Sequence, residues 1–79
     1  MHLDIVSPAR HIFSGEAEAV QFPGTKGSFG VLNNHAPLIS TLKAGKIKVP
    51  DTAHQEQLFE ITGGVVEVKD DRVIVLAEE

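Results

Sequence analysis

Few stretches of this 79-residue sequence carry residue types that could do chemistry. The first is Gly24-Thr-Lys-Gly-Ser-Phe-Gly30, in which glycine backbones and a lysine could cradle phosphate oxygens. A phosphate loop needs Gly-Lys-Ser/Thr opening a helix, whereas this segment lies between two strand-like runs, so its glycines read as turn residues. The four histidines, His2, His11, His35 and His54, show no i, i+4 pairing, and there is no cysteine, so zinc chemistry is unsupported. His2, Asp4 and His11 could approach one another only if the first strands pair. Ser7, Ser14, Ser28 and Ser40 fall in turn or strand contexts without the strand-to-helix elbow that exposes a nucleophile. Glu16, Glu18, Glu67, Asp70 and Asp71 fall at solvent-facing or turn positions, where solubility accounts for them. No catalytic, cofactor or metal site is expected.

Lys69 reads as standing at the tip of a tight hairpin, as the modified lysine does in lipoyl and biotinyl carrier domains. Biotinyl sites read Met-Lys-Met, and the one methionine here is Met1. Glu67-Val-Lys69-Asp-Asp therefore leaves a lipoyl-type carrier as the alternative reading.

These residues must be positioned by strands. Leu3 and Ile5 flank Asp4, Val20 and Phe22 flank Gln21, and Ile47 and Val49 interleave with Lys46 and Lys48, all at period two. Turn signals recur roughly every 8 to 12 residues, as in a sandwich or barrel: Ser7-Pro8, Ser14-Gly15, Pro23-Gly24, Asn33-Asn34, Ala44-Gly45 and Pro50-Asp51. Val65–Lys69 and Arg72–Ala77 flank Asp70-Asp71 as a hairpin. Thr52 and Gln55 mimic a helix capping box, yet Phe59 and Ile61 alternate with Glu60 and Thr62, so Gln57 to Thr62 reads as strand ended by Gly63-Gly64. The apolar register shifts near Ala19-Val20, which predicts a bulge or bend. The expected class is all-β, in one domain over residues 1–79.

Composition narrows the function classes. Seven Lys and Arg against eleven Asp and Glu give a net charge of −4, and there is no Trp or Tyr, so neither phosphate tracking nor base stacking is expected. No apolar run reaches the 18 or so residues of a membrane span. The start lacks the pattern of a signal peptide, which makes the cytosol the default expectation.

His2-Leu-Asp-Ile-Val-Ser-Pro, Ile12-Phe-Ser-Gly-Glu, Pro23-Gly-Thr-Lys-Gly-Ser-Phe-Gly-Val-Leu, Asn34-His-Ala-Pro-Leu and Gly63-Gly-Val-Val-Glu-Val follow one another in an order and spacing that closely resemble the ε subunit of bacterial F-type ATP synthases. The resemblance implies a ten-stranded antiparallel β-sandwich and a non-catalytic rotor role, linking the γ shaft to the membrane c-ring so that proton transport couples to ATP synthesis. It implies a γ-facing surface at Ser7, His35, Ala36, Pro37, Leu38, Ser40 and Thr41. It also implies a c-ring-facing end at Lys26, Gly27 and Ser28 with neighbouring Asn33 and Asn34. Family members often carry acidic residues in that turn, where this chain has Lys26 and Ser28. The implied location is peripheral, on the cytoplasmic face of the bacterial inner membrane, with no direct membrane insertion. Relatives commonly continue into a two-helix hairpin that can inhibit hydrolysis or bind ATP. Since this sequence ends after its last strand, neither helix inhibition nor ATP binding is expected of it, and no cofactor is implied.

Overall fold

The structure is a computed structural model that describes residues 1–51 and 55–79. Seven strands form: β1 His2–Val6, β2 His11–Glu16, β3 Ala19–Phe22, β4 Phe29–Leu32, β5 Leu38–Pro50, β6 Glu56–Lys69 and β7 Arg72–Glu78. They make one continuous sheet in the order β2-β1-β7-β6-β5-β3-β4. The all-β expectation holds, with two corrections. The described residues form seven strands where ten were expected, and β1 pairs parallel with β7, so the sheet is not purely antiparallel. The capping-box reading of Thr52 and Gln55 falls partly outside the described residues.

The strand count differs because β5 and β6 are unusually long and each serves both layers. Their antiparallel register runs without a shift from Leu38↔Val68 to Pro50↔Glu56, skipping only the rung between Lys43↔Gly63 and Gly45↔Ile61. Neither Ala44-Gly45 nor Gly63-Gly64 interrupts its strand, contrary to the turn and stop expected there. Those residues mark a kink instead. In β5 the inward side chains are Leu38, Ser40 and Leu42 before it and Ile47 and Val49 after it; in β6 they are Phe59 and Ile61 before it and Val66 and Val68 after it. Because strand side chains alternate, this change from even to odd positions, and from odd to even, means that the inward face slips by one residue in both strands at the same rung. Gly64 makes the slip possible with φ 151°, a backbone conformation that side chains resist.

Beyond the kink the sheet folds over its own inner face. The first half of β6 brings Phe59 against Phe13 of the edge strand β2, ring centroids 5.4 Å apart. Leu3, Ile5, Phe22, Ile47, Val66 and Val75 fill the space between the layers and are almost fully buried. The register shift expected near Ala19-Val20 is realised slightly earlier, at Ala17-Glu18, where the chain leaves β2 beside β1 and enters β3 beside β4.

Two knots fix the ends of the β1/β7 pair. At one, the β6–β7 hairpin turns through Asp70 (φ 52°) and Asp71 (φ 58°), both left-handed as a type I′ turn requires. The Asp71 carbonyl accepts the His2 N–H, and its carboxylate accepts the Asn34 N–H at 2.9 Å and lies 3.7 Å from the Met1 ammonium. That ammonium also donates to the Ala17 carbonyl and the Asn33 side-chain oxygen.

At the other end, Glu79 closes on the Ser7–Arg10 turn. The Arg10 guanidinium grips its two carboxylate oxygens at 3.2 and 2.6 Å, and the Ser7 hydroxyl donates at 2.8 Å. These bonds, Arg10 first and Ser7 second, hold the Glu79 carboxyl below its ordinary value of 4.5. In the unfolded chain Glu79 returns to that value, so the clasp stabilises the fold above it and is lost as pH falls through the lower folded value. The expected result is a stability that declines on acidification through the carboxylate range, with a shallower decline in Glu79→Gln. Urea melts across that range check it, and equal slopes for the two chains would refute it.

Candidate docking surface

The β1–β2 edge holds the densest group of titratable side chains. His2 places Nδ1 2.9 Å from a Glu16 oxygen and Nε2 3.3 Å from Asp4. The Asp4 carboxyl is lowered chiefly by its hydrogen bond from Ser14, then by His2 and His11. Among the described residues no group of three or more His, Cys, Asp or Glu is placed to hold a metal ion. These side chains line an exposed strand edge and are spent on one another.

The most unusual surface lies on the outer face of the layer formed by β1, β7 and the halves of β5 and β6 beside them. Pairing places Thr41, Val65, Leu76 and Val6 in one row across four strands, and Ile39, Glu67, Ile74 and Asp4 in the next. Side chains in such rows share one face at contact distance. Ile39 is 71% exposed and Leu76 59%, with Ile74 and Val65 also exposed. Four large aliphatic groups thus form a contiguous uncovered patch around Val65 and Leu76, of the kind that marks an interaction site. Their sequence signal is plain in retrospect. Val65-Val66 and Ile74-Val75-Leu76 are apolar at consecutive positions, so both faces of those strands are apolar, whereas a half-solvated strand alternates. Sequence reasoning took these runs as evidence of strand and did not assign their outer members to a surface.

Of the expected γ-facing residues, Ser7 and Thr41 flank this patch. Ser7 follows Val6 on its β1 side, and Thr41 lies in the Val65–Leu76 row on its β5 side, about 14 Å away at the usual spacing of adjacent strands. Leu38 and Ser40 point to the inner face opposite Val68 and Val66 and are only half-exposed. His35, Ala36 and Pro37 form the exposed approach to β5, with His35 Nδ1 2.7 Å from the Ala36 oxygen. The turn before them is closed by the His35 N–H on the Leu32 carbonyl, with Asn34 left-handed at φ 62°.

The residues expected at the c-ring-facing end do not come together. Lys26, Gly27 and Ser28 are exposed on the turn that enters β4, whereas Asn33 and Asn34 leave its other end, about 16 Å away at strand rise. The two asparagines are held in the Met1–Asp71 knot. The Lys26 turn lies instead beside Ile39, Ser40 and Thr41, across a groove of about 530 Å³. Lys69 is the last residue of β6, paired in the ladder with Arg72, while Asp70 and Asp71 occupy the turn.

Known proteins agree with this geometry. Residues 1–79 match the family described as ATP synthase, Delta/Epsilon chain, beta-sandwich domain. The chain is 46% identical over 78 residues to the ATP synthase epsilon chain of Caulobacter vibrioides, covering 99% of this chain and 90% of that one. It is also 46% identical over 77 residues to that of Chlorobaculum tepidum, covering 98% and 88%. Against the epsilon chain of Hyphomonas neptunium, 44% identical, it covers all of itself but 58% of the relative. Among solved structures, a chain in the Euglena gracilis mitochondrial ATP synthase OSCP/F1/c-ring assembly superposes with a TM-score of 0.88 at 24% identity, over 98% of this chain and 49% of that one. With its whole length matched by that family and curated relatives more than 40% identical, the chain belongs to the ATP synthase delta/epsilon chain β-sandwich family.

Proposed function

We propose that this chain is a non-catalytic central-stalk component of a rotary ATP synthase, seated against the γ shaft through the face centred on Val65 and Leu76. The observation that carries the reading is the exposure of Ile39, Val65, Ile74 and Leu76 together on one face, whereas the other exposed large aliphatics, Leu32 and Leu58, lie on other strands or strand halves. Covering a face of this kind is how a rotor part is fixed without chemistry: a rigid body bridges two partners and transmits torque. Ser7 and Thr41 on the flanks of the patch, and His35 on the approach to β5, supply a polar rim around the apolar centre, the arrangement typical of protein interfaces. In this reading the exposed turn at Lys26, Gly27 and Ser28 makes the c-ring contact. The assembly then holds the chain peripherally on the cytoplasmic face of a bacterial inner membrane, where proton-driven rotation is coupled to ATP synthesis.

Calorimetric titration of the chain into purified γ subunit tests this reading. The expected result is a one-to-one complex with a raised melting temperature, since a partner that binds only the folded state stabilises it by mass action. No detectable heat from well-folded protein, with an unchanged melting temperature at saturating γ, would overturn it. The carrier alternative at Lys69 has no support from the relatives, which are epsilon chains.

A further inference from the structure

The first half of β5 has an open edge. One side of the strand pairs with β6 along its whole length, and the other meets the chain only from Leu42 onward, through the Gly24↔Leu42 bridge and the Gln21↔Lys48 pair, with Thr25 reaching back to Thr41. Backbone groups in a strand point alternately to its two sides. The Thr41 carbonyl accepts the Thr25 N–H at 3.1 Å, and the Lys43 N–H donates to the Pro23 carbonyl at 2.8 Å, so odd-numbered residues address the open side. Ile39, two residues earlier on the same side, therefore aims its N–H and carbonyl outward, where no chain segment among the described residues meets them. Pro37 contributes a carbonyl and Thr41 an N–H to the same edge.

The cause is the turn at Lys26-Gly27. Pro23 to Thr25 run alongside Thr41 to Lys43, and there the chain lifts away, with Gly27 at φ 124° and its N–H on the Gly24 carbonyl at 3.0 Å. The place of the next strand residues is left empty, and the groove of about 530 Å³ lies there. Its one charged lining residue is Lys26, which makes no ion pair with the described residues. Ile39 belongs to two surfaces at once: its side chain is part of the outer apolar patch, and its backbone is the open edge.

We propose that an extended segment of the same γ subunit adds to the sheet as a strand along Pro37–Thr41, hydrogen-bonded to the Ile39 backbone. The proposal rests on the docking reading above and extends it from face to edge. Strand addition takes affinity from main-chain hydrogen bonds and specificity from flanking side chains. It also removes the exposed edge that an isolated sheet must otherwise protect.

Amide hydrogen exchange, followed by NMR on isotope-labelled chain with unlabelled purified γ, tests it. In the free chain the Ile39 and Thr41 amides exchange quickly while those of Ser40 and Leu42, which face β6, are protected. In the complex, slowing of Ile39 and Thr41 exchange by tenfold or more is expected, on the scale of a hydrogen bond's net contribution or above. Ile39→Pro, which removes an N–H that the fold does not use, is expected to weaken the complex by about fivefold to tenfold relative to Ile39→Val. A complex in which both amides exchange as in the free chain overturns the strand addition while leaving the docking face intact. Absence of any complex overturns both. Slowing that appears on concentrating the chain alone assigns the edge to a second copy and overturns the γ segment as its occupant.

Discussion

Gly64→Ala is expected to destabilise the domain by about 3 kcal/mol or more, through steric strain at a special backbone position. A β-carbon on Gly64 would lie 2.5 Å from the Leu76 carbonyl oxygen and 3.2 Å from the Ala77 α-carbon, both backbone atoms of β7. The neighbour can yield only by moving β7 off the ladder, and φ 151° is itself unfavourable for alanine. In a domain of this size the expected loss corresponds to a fall in melting temperature of about 12 °C or more. Gly27→Ala is the matched control. It shares a positive φ, 124°, but its β-carbon would meet nothing within 4 Å, so only the conformational cost of about 1 kcal/mol applies. Thermal melts of the two variants separate steric clash from backbone preference. Equal melting temperatures would show that β7 relaxes around the new methyl group and that the kink does not depend on Gly64.

The second large effect concerns binding with the fold left intact. Leu76 is 59% exposed at the centre of the outer patch, so Leu76→Glu leaves the core untouched and is expected to shift stability by no more than about 0.5 kcal/mol, as surface changes do. Against γ the same change sets a carboxylate in the centre of a desolvated contact, beside Val65. Central anchors of this type cost 2 kcal/mol or more when lost, so affinity is expected to fall by about thirtyfold or more. Leu58→Glu serves as the comparison. Leu58 is similarly exposed, at 50%, but lies in the other half of β6, paired with Lys48 and away from the patch. Titration of both variants decides the matter: equal affinities would show that the β7 face is not the surface that γ covers.

The fold was legible wherever local pattern and tertiary context agreed. The Asp70-Asp71 hairpin is the clearest case, because two residues tolerant of a left-handed backbone separate two β-branched runs, and the sheet merely accepts the result. Gly63-Gly64 and Ala44-Gly45 misled for a physical reason. Glycine marks both turns and kinks, and what distinguishes them is whether a partner strand continues alongside, which is a long-range fact. The parallel pairing of β1 with β7 was illegible on the same ground, since nothing near His2 refers to Arg72. Site residues fared unevenly. Thr41 and Ser7 do flank the exposed patch, but Asn33 and Asn34, near Lys26 in sequence, lie at the far end of β4, because an intervening strand separates what a short interval suggests is close. Val65, Ile74 and Leu76 were hidden by their own strand propensity, which accounts for aliphatic residues in a sheet without saying which of its faces is wet.

The β1–β7 pairing also bears on how the chain folds. His2–Val6 finds its hairpin partner β2 close by in the sequence, but its other edge waits for Arg72–Leu76, 70 positions further along. Until then β1 and β6 each present an unpaired apolar edge, and closing the loop between them is an entropically slow step that must precede its own reward. A chain in which β7 has not docked would have little of its sandwich, with Leu3, Ile5, Val66 and Val68 open to like edges on neighbouring chains. Docking of β7 is therefore the event on which both layers depend, and the sandwich closes with it as one unit.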